Sequence, residues 1–292
     1  MHPPTASTRP WRSAWRSNNV HPQRIQIQRT TEDYVTSVLQ DKVAVITGGT
    51  AGIGKAIARA FLDEGALVVI SGRSAESGEK ALAELGAGDR ARFVSADVTS
   101  RADLDRLIDA AQAWQGRLDI TVLNAGGVGK SSQIAVMDDD EWELELNLNL
   151  THTFRGIRRS LKYMLEQRSG RILCMSSVEG KRGRPGIGGY AANKAAITTL
   201  TRSVSQEVGT EGVTVNSLCP GLVVTDQVND RAGKGQGMSG VDEVVASYSR
   251  EAAIKRPVLP EEVAAAAVFL ASDAASGITG QAISIDGGTS QH

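Results

Sequence analysis

Seven short apolar runs, rich in β-branched residues, recur between residues 42 and 286. They are "KVAVIT" (42–47), "ALVVIS" (66–71), "ARFVSAD" (91–97), "LDITVLNAG" (118–126), "GRILCMSS" (170–177), "VTVNSLCP" (213–220) and "AISID" (282–286). Strands this continuously apolar must be covered on both faces, and a parallel sheet between two helical layers does this. The spacers supply those helices. Ile53, Ile57, Ala60 and Phe61 recur at helical spacing, and further helices are expected over 75–85, from Ser100 to about Trp114, and over one long span from 139 to 167. Ser100 with Asp103 can cap the third of these. Two more helices are expected, one bearing Tyr190 and running to Val208 and one over 261–271. Residues 226–256 read as irregular and glycine-rich, leading into a helix. The pattern predicts one α/β domain, a doubly wound parallel sheet of about seven strands with helices on both faces.

In such a sheet the ligand sits beyond the carboxyl ends of the strands. Polar or special residues follow them here: Gly48, Arg73, Asp97, Asn124, Ser177 and Pro220. Composition narrows the chemistry. Hydrophobic residues make up 41% and the formal net charge is −1, which fits a soluble globular protein and gives no case for nucleic acid. The longest apolar runs are far too short to span a membrane. Cys174 and Cys219 stand alone, so a reducing, cytoplasmic compartment is expected. The histidines are His2, His21, His152 and His292, which leaves no His-rich metal site, and no metal is expected.

The amino-terminal stretch differs from the rest. Residues 1–36 hold five arginines, four prolines and two acids. Removing them from the totals of 32 basic and 33 acidic residues leaves 27 and 31. Residues 1–38 therefore read as a disordered leader or a misassigned start, with the folded domain over 39–292. An organelle-targeting segment is the alternative, and the stretch has no apolar h-region of a secretory signal.

Two local motifs carry chemistry. "TGGTAGIG" (47–54) joins the first strand to the first helix, and Gly48, Gly52 and Gly54 let the backbone approach a pyrophosphate at the helix N-terminus. "GGYAANKAA" (188–196) places Tyr190 and Lys194 on one helix face. A phenol ordinarily titrates near pH 10, and a neighbouring ammonium favours its anion. Bringing it to near neutrality calls for about 4 kcal/mol of differential stabilisation. With "NAG" at 124–126, Ser177 thirteen residues before Tyr190, and "PG" at 220–221, the ordered motifs resemble those of the short-chain dehydrogenase/reductases. The resemblance covers residues 41–289 and is closest to the 3-oxoacyl-acyl-carrier-protein reductase type.

That resemblance implies a Rossmann-type fold and hydride transfer between a nicotinamide and a ketone or secondary alcohol. Tyr190 is then the acid/base, and Lys194 supports it and binds the nicotinamide ribose. Ser177 holds the reacting oxygen, and Asn149 supports a proton-relay water. Ser176 faces the other side of its strand, and Asn147 lies about 200° round the helix from Asn149. The implied cofactor residues are Gly48, Thr50, Gly52, Ile53, Gly54, Arg73, Asp97, Val98, Asn124, Ala125, Gly126, Tyr190, Lys194, Pro220, Gly221, Val223 and Thr225, with Asp97 toward the adenine and Thr225 toward the carboxamide. Strand two ends "SGRS", with Gly72 where NAD enzymes place an acid and Arg73 next. No carboxylate repels a 2′-phosphate and a guanidinium can grip one, so NADP is favoured, with NAD as the alternative. The basic residue common within the glycine turn of NADP enzymes is missing, and Ala51 stands there.

The family's "NNAG" has become "LNAGG", with Leu123 replacing the first Asn, and His152 replaces a small residue and is expected to be partly exposed. The segment after strand six is where the family builds its substrate lid, and Met238, Val245 and Tyr248 offer apolar lining. Glu179 either lines the cleft or folds back onto Lys181 or Arg182. Ala192, Ala195, Ala196 and Thr199 put small side chains on faces of the Tyr190 helix that cannot all meet the sheet, so a homotetramer is expected. A small carbonyl or alcohol is the expected partner. The alternatives are an NAD-dependent secondary alcohol dehydrogenase and a non-catalytic dinucleotide-binding regulator, against which the set Asn149, Ser177, Tyr190 and Lys194 argues.

Overall fold

The computed structural model describes residues 37–225 and 241–290. Residues 1–36 of the leader expected over 1–38, and Met238 with the rest of 226–240, lie outside the described residues. At the amino-terminal boundary Val38 N–H donates to the Glu64 carboxylate at 3.0 Å and Leu39 is fully buried, so the folded unit takes in both residues.

All seven expected strands form one parallel sheet. They are β1 (Val43–Ile46), β2 (Leu67–Gly72), β3 (Ala91–Ser95), β4 (Ile120–Leu123), β5 (Gly170–Met175), β6 (Val213–Pro220) and β7 (Ala282–Ile285). Their order is β3-β2-β1-β4-β5-β6-β7, so the winding reverses between β1 and β4 and opens a crevice at the carboxyl ends of those two strands.

Alternation along each strand sorts the core into two layers. Ala44 and Ile46 of β1 pack on one face with α1 (Gly52–Asp63), α2 (Ala75–Leu85) and α9 (Pro260–Ala271). Val45 faces the other layer, with α3 (Arg101–Gln115), α5 (His152–Gln167) and α7 (Gly188–Val208). Local signals set the helix ends. Ser74 and Ser100 accept from Ser77 N and Asp103 N, and Gly86 and Gly116 close the same two helices at φ +59° and +71°. A short α6 (Glu179–Arg182) follows β5, and α8 (Val241–Glu251) precedes α9.

One expectation fails in detail. The single helix over 139–167 is α4 (Asp139–Leu146), then a π turn over Asn147–Thr151, then α5. Two side chains intercept backbone carbonyls there. Asn149 Nδ2 donates to Glu145 O at 2.9 Å and Thr153 Oγ1 donates to Asn149 O at 2.7 Å. Each occupies an acceptor four residues back, which loosens the regular ladder and admits the wider turn.

Candidate active site

The crevice floor is built from backbone. Gly48 and Gly52 take φ of +63° and +51°, and a Cβ on Gly54 would overlap the Gly48 carbonyl oxygen, so glycine is required for the turn to close. Ala51, at the N-cap of α1, offers no side-chain acceptor, which leaves first-turn N–H groups for an anion. Ile53 is half-buried against the core beneath. Thr225 crosses above, its methyl 3.1 Å from where a Gly52 Cβ would be.

Thr47 joins the two sides of the switch point, a role the motif reading missed. Its hydroxyl accepts from Asn124 N at 2.9 Å and Ala125 N at 3.0 Å, while Asn124 Nδ2 donates to Thr47 O at 3.0 Å and Gly48 O at 3.2 Å. On the far side Val178 N–H donates to Pro220 O, Gly221 N–H donates to Ile285 O at 3.0 Å, and Val223 bridges to Val258.

At the β2 end, a Cβ on Gly72 would lie 2.9 Å from the Thr50 methyl, so an acidic side chain has no room without a shift. Arg73 is exposed, and its guanidinium has no hydrogen-bond or ion-pair partner among the described residues. Asp97 is exposed and its Oδ1 holds Thr99 through N–H (2.9 Å) and hydroxyl (2.7 Å), with Val98 buried between them.

Tyr190 and Lys194 share a face of α7, with Lys194 Nζ 5.4 Å from the centre of the Tyr190 ring. Lys194 is buried and its Nζ donates to Met175 O at 2.8 Å. Burial pushes this ammonium down to about 8. A Cβ on Gly126 would lie 2.6 Å from Asn149 Oδ1 and 3.2 Å from Lys194 Nζ, so Asn149, Lys194 and the "NAG" turn converge. Ser177 sits just beyond β5, two residues from the carbonyl that holds Lys194. Ser176 is spent elsewhere, donating to Lys194 O at 2.8 Å.

Asn149 does more than the motif suggested. Its Oδ1 accepts from Gly127 N and its Nδ2 donates to Gly127 O, both at 3.0 Å. Glu145 Oε1 accepts from Gly129 N at 2.7 Å and Glu141 Oε1 from Lys130 N at 2.6 Å. Three side chains spaced by four thus clasp the loop after β4, and that spacing was readable in the sequence.

Two readings are corrected or resolved. His152 is fully buried rather than partly exposed, with Nε2 3.1 Å from Thr47 Oγ1. Burial, and then the Lys194 charge, press its imidazole down to about 3, so it stays neutral. Glu179 has folded back: it is buried and pairs with Arg182 and Arg184. Among the described residues no helix is long and apolar enough to cross a membrane, and no cluster of His, Cys, Asp and Glu could hold a metal ion.

The chain is similar to several known proteins. The family model described as Enoyl-(Acyl carrier protein) reductase matches residues 48–290. The 3-oxoacyl-[acyl-carrier-protein] reductase of Chlamydia muridarum is 35% identical over 256 residues, covering 87% of this chain and 99% of that protein. The NADP-dependent (R)-specific alcohol dehydrogenase of Lentilactobacillus kefiri is 36% identical over 257 residues, covering 87% and 98%. A crystal structure of a Phe-to-Trp variant of actinorhodin polyketide ketoreductase with NADPH superposes with a TM-score of 0.81 at 32% identity, covering 86% of this chain and 98% of that one.

Proposed function

Since the chain belongs to the short-chain dehydrogenase/reductase family, we propose that it is an NADP(H)-dependent oxidoreductase interconverting a small ketone and its secondary alcohol. The observation that carries this is the Tyr190–Lys194 pair beside the switch-point crevice, with the ammonium buried against Met175 O.

The residues fit a dinucleotide. The Gly48–Gly54 turn is a cradle that a Cβ would fill, the α1 N-terminus is free of a side-chain cap, and Arg73 is free to take a 2′-phosphate. When bound, the nicotinamide supplies the hydride. In the reducing direction Ser177 donates a hydrogen bond to the carbonyl oxygen, and the Tyr190 hydroxyl gives that oxygen its proton as the carbon gains the hydride. The Lys194 ammonium stabilises the phenolate left behind. Oxidation runs the same proton path backwards.

A homotetramer goes with this reading. Ala192, Ala195 and Thr199 are exposed along α7, and Trp142 of α4 and Phe154 of α5 are 40% and 45% exposed. Exposed small residues on α7, with exposed aromatic ones on α4 and α5, suit helix packing against another copy. The function is tested by following the absorbance of reduced nicotinamide with a panel of ketones and secondary alcohols and both dinucleotides. Turnover with NADPH supports it, and none on any member contradicts it.

A further inference from the structure

The Glu179 carboxylate ties together three segments: α6, the loop that follows it and α8. Its Oε1 accepts from Arg182 Nη2 at 3.0 Å, Arg184 Nε at 3.2 Å and the Tyr248 hydroxyl at 2.8 Å. The same two guanidiniums reach Glu251 at the far end of α8, Arg182 Nη1 at 2.6 Å and Arg184 Nη2 at 2.9 Å. Arg184 also lies over the Tyr248 ring, 4.0 Å from its centre. Two carboxylates, two guanidiniums and one phenol thus dock α8 onto α6 and the following loop.

This knot is no ordinary surface bridge. Glu179 is 3% exposed, and its charge is compensated only while both arginines stay. The Glu251 carboxyl is held below its usual range because both guanidiniums outweigh its burial. Burial, then the Glu179 charge, raises the Tyr248 phenol, so it remains a donor.

The knot also reaches Ser177. The Glu179 N–H donates to Ser177 Oγ at 3.2 Å. Among the described residues none accepts the Ser177 proton, which leaves the hydroxyl free to donate. We propose that Glu179 is a positioning residue: its side chain anchors α8 across the substrate side of the cleft, and its amide turns the Ser177 hydroxyl into a donor. The Ser177 part rests on the proposed function, and the docking of α8 does not.

The test uses the full chain and two mild variants. Hydrogen–deuterium exchange, measured without substrate, should quicken about tenfold in α8 and residues 178–182 for Glu179→Gln, and about threefold in α8 for Tyr248→Phe. Glu211→Gln, which breaks the Arg168–Glu211 pair at the opposite end of the sheet, should leave both regions unchanged. With ethyl acetoacetate as probe and NADPH as reductant, Glu179→Gln should lower kcat about tenfold and keep the NADPH dissociation constant within about twofold. Unaltered exchange in both variants, or faster exchange with unchanged kcat, would overturn the proposal. Absent turnover in the unaltered protein would instead refute the proposed function, while the exchange rates would still decide whether Glu179 holds α8.

Discussion

Lys194 has a physical cost that the fold bears for the site. Its ammonium is fully enclosed, and burial lowers its proton affinity from 10.5 to about 8. Below pH 8 the native state carries this charge at a penalty the unfolded chain does not have. Between pH 8 and 10.5 the unfolded state binds more protons, so this residue's contribution to stability rises with pH. Lys194→Met should therefore stabilise the protein at pH 7, by about 3 kcal/mol for the removed penalty less about 1 kcal/mol for the lost bond to Met175 O. Urea unfolding at pH 7 and pH 10 checks this: the gain should shrink at the higher pH, and a destabilised variant at pH 7 would contradict it. Arg73 makes the opposite kind of residue, exposed and without a partner among the described residues. Arg73→Ala should weaken NADPH binding about 10- to 100-fold and NADH binding hardly at all. Equal losses for both would show that the guanidinium does not meet the 2′-phosphate. Gly72 could be read from sequence as a missing acid. That the Thr50 methyl occupies the space could not, because it depends on how two loops approach.

Strands and caps were legible because each follows from neighbouring residues. A run such as Val43–Ile46 announces a strand covered on both faces from its own residues, and Ser100 caps its own helix. The π turn was not legible, since the Asn149 amide that bonds Glu145 O is held in place by Gly127, twenty-two residues away. An extra residue in a turn rotates every later side chain by about 100°, which carries His152 into the core beneath Thr47. The departure at Leu123 has an element-scale reason. Its side chain fills the space over Gly156, where a Cβ would overlap Leu123 Cδ2. Leu123→Asn, which restores the family's residue, should destabilise the fold by about 3 kcal/mol through a buried amide without a matched partner. A chemical denaturation midpoint unchanged from the parent would show that β4 accepts either side chain.

At the scale of the molecule, sheet order explains why motifs scattered from Thr47 to Thr225 act together. The reversal between β1 and β4 brings the glycine turn beside the "NAG" turn, and β5 and β6 carry Ser177 and Pro220 to the same rim. The candidate set Asn149, Ser177, Tyr190 and Lys194 rested on the motifs' resemblance to the family, whereas the clasp of Glu141, Glu145 and Asn149 on the loop after β4 needed three dimensions to find its partners. Assembly is the remaining large-scale expectation. Light scattering should report a tetramer, and Phe154→Glu, altering a side chain 45% exposed on α5, should reduce it to smaller species. A monomeric parent protein would remove the basis for that expectation. The central claim is that Tyr190 moves the proton, and Tyr190→Phe assayed for both turnover and NADPH binding tests it most directly. The predicted result is a fall in kcat of about 1,000-fold with the NADPH dissociation constant within about twofold of the parent. Turnover close to that of the parent, with NADPH still bound, would contradict it.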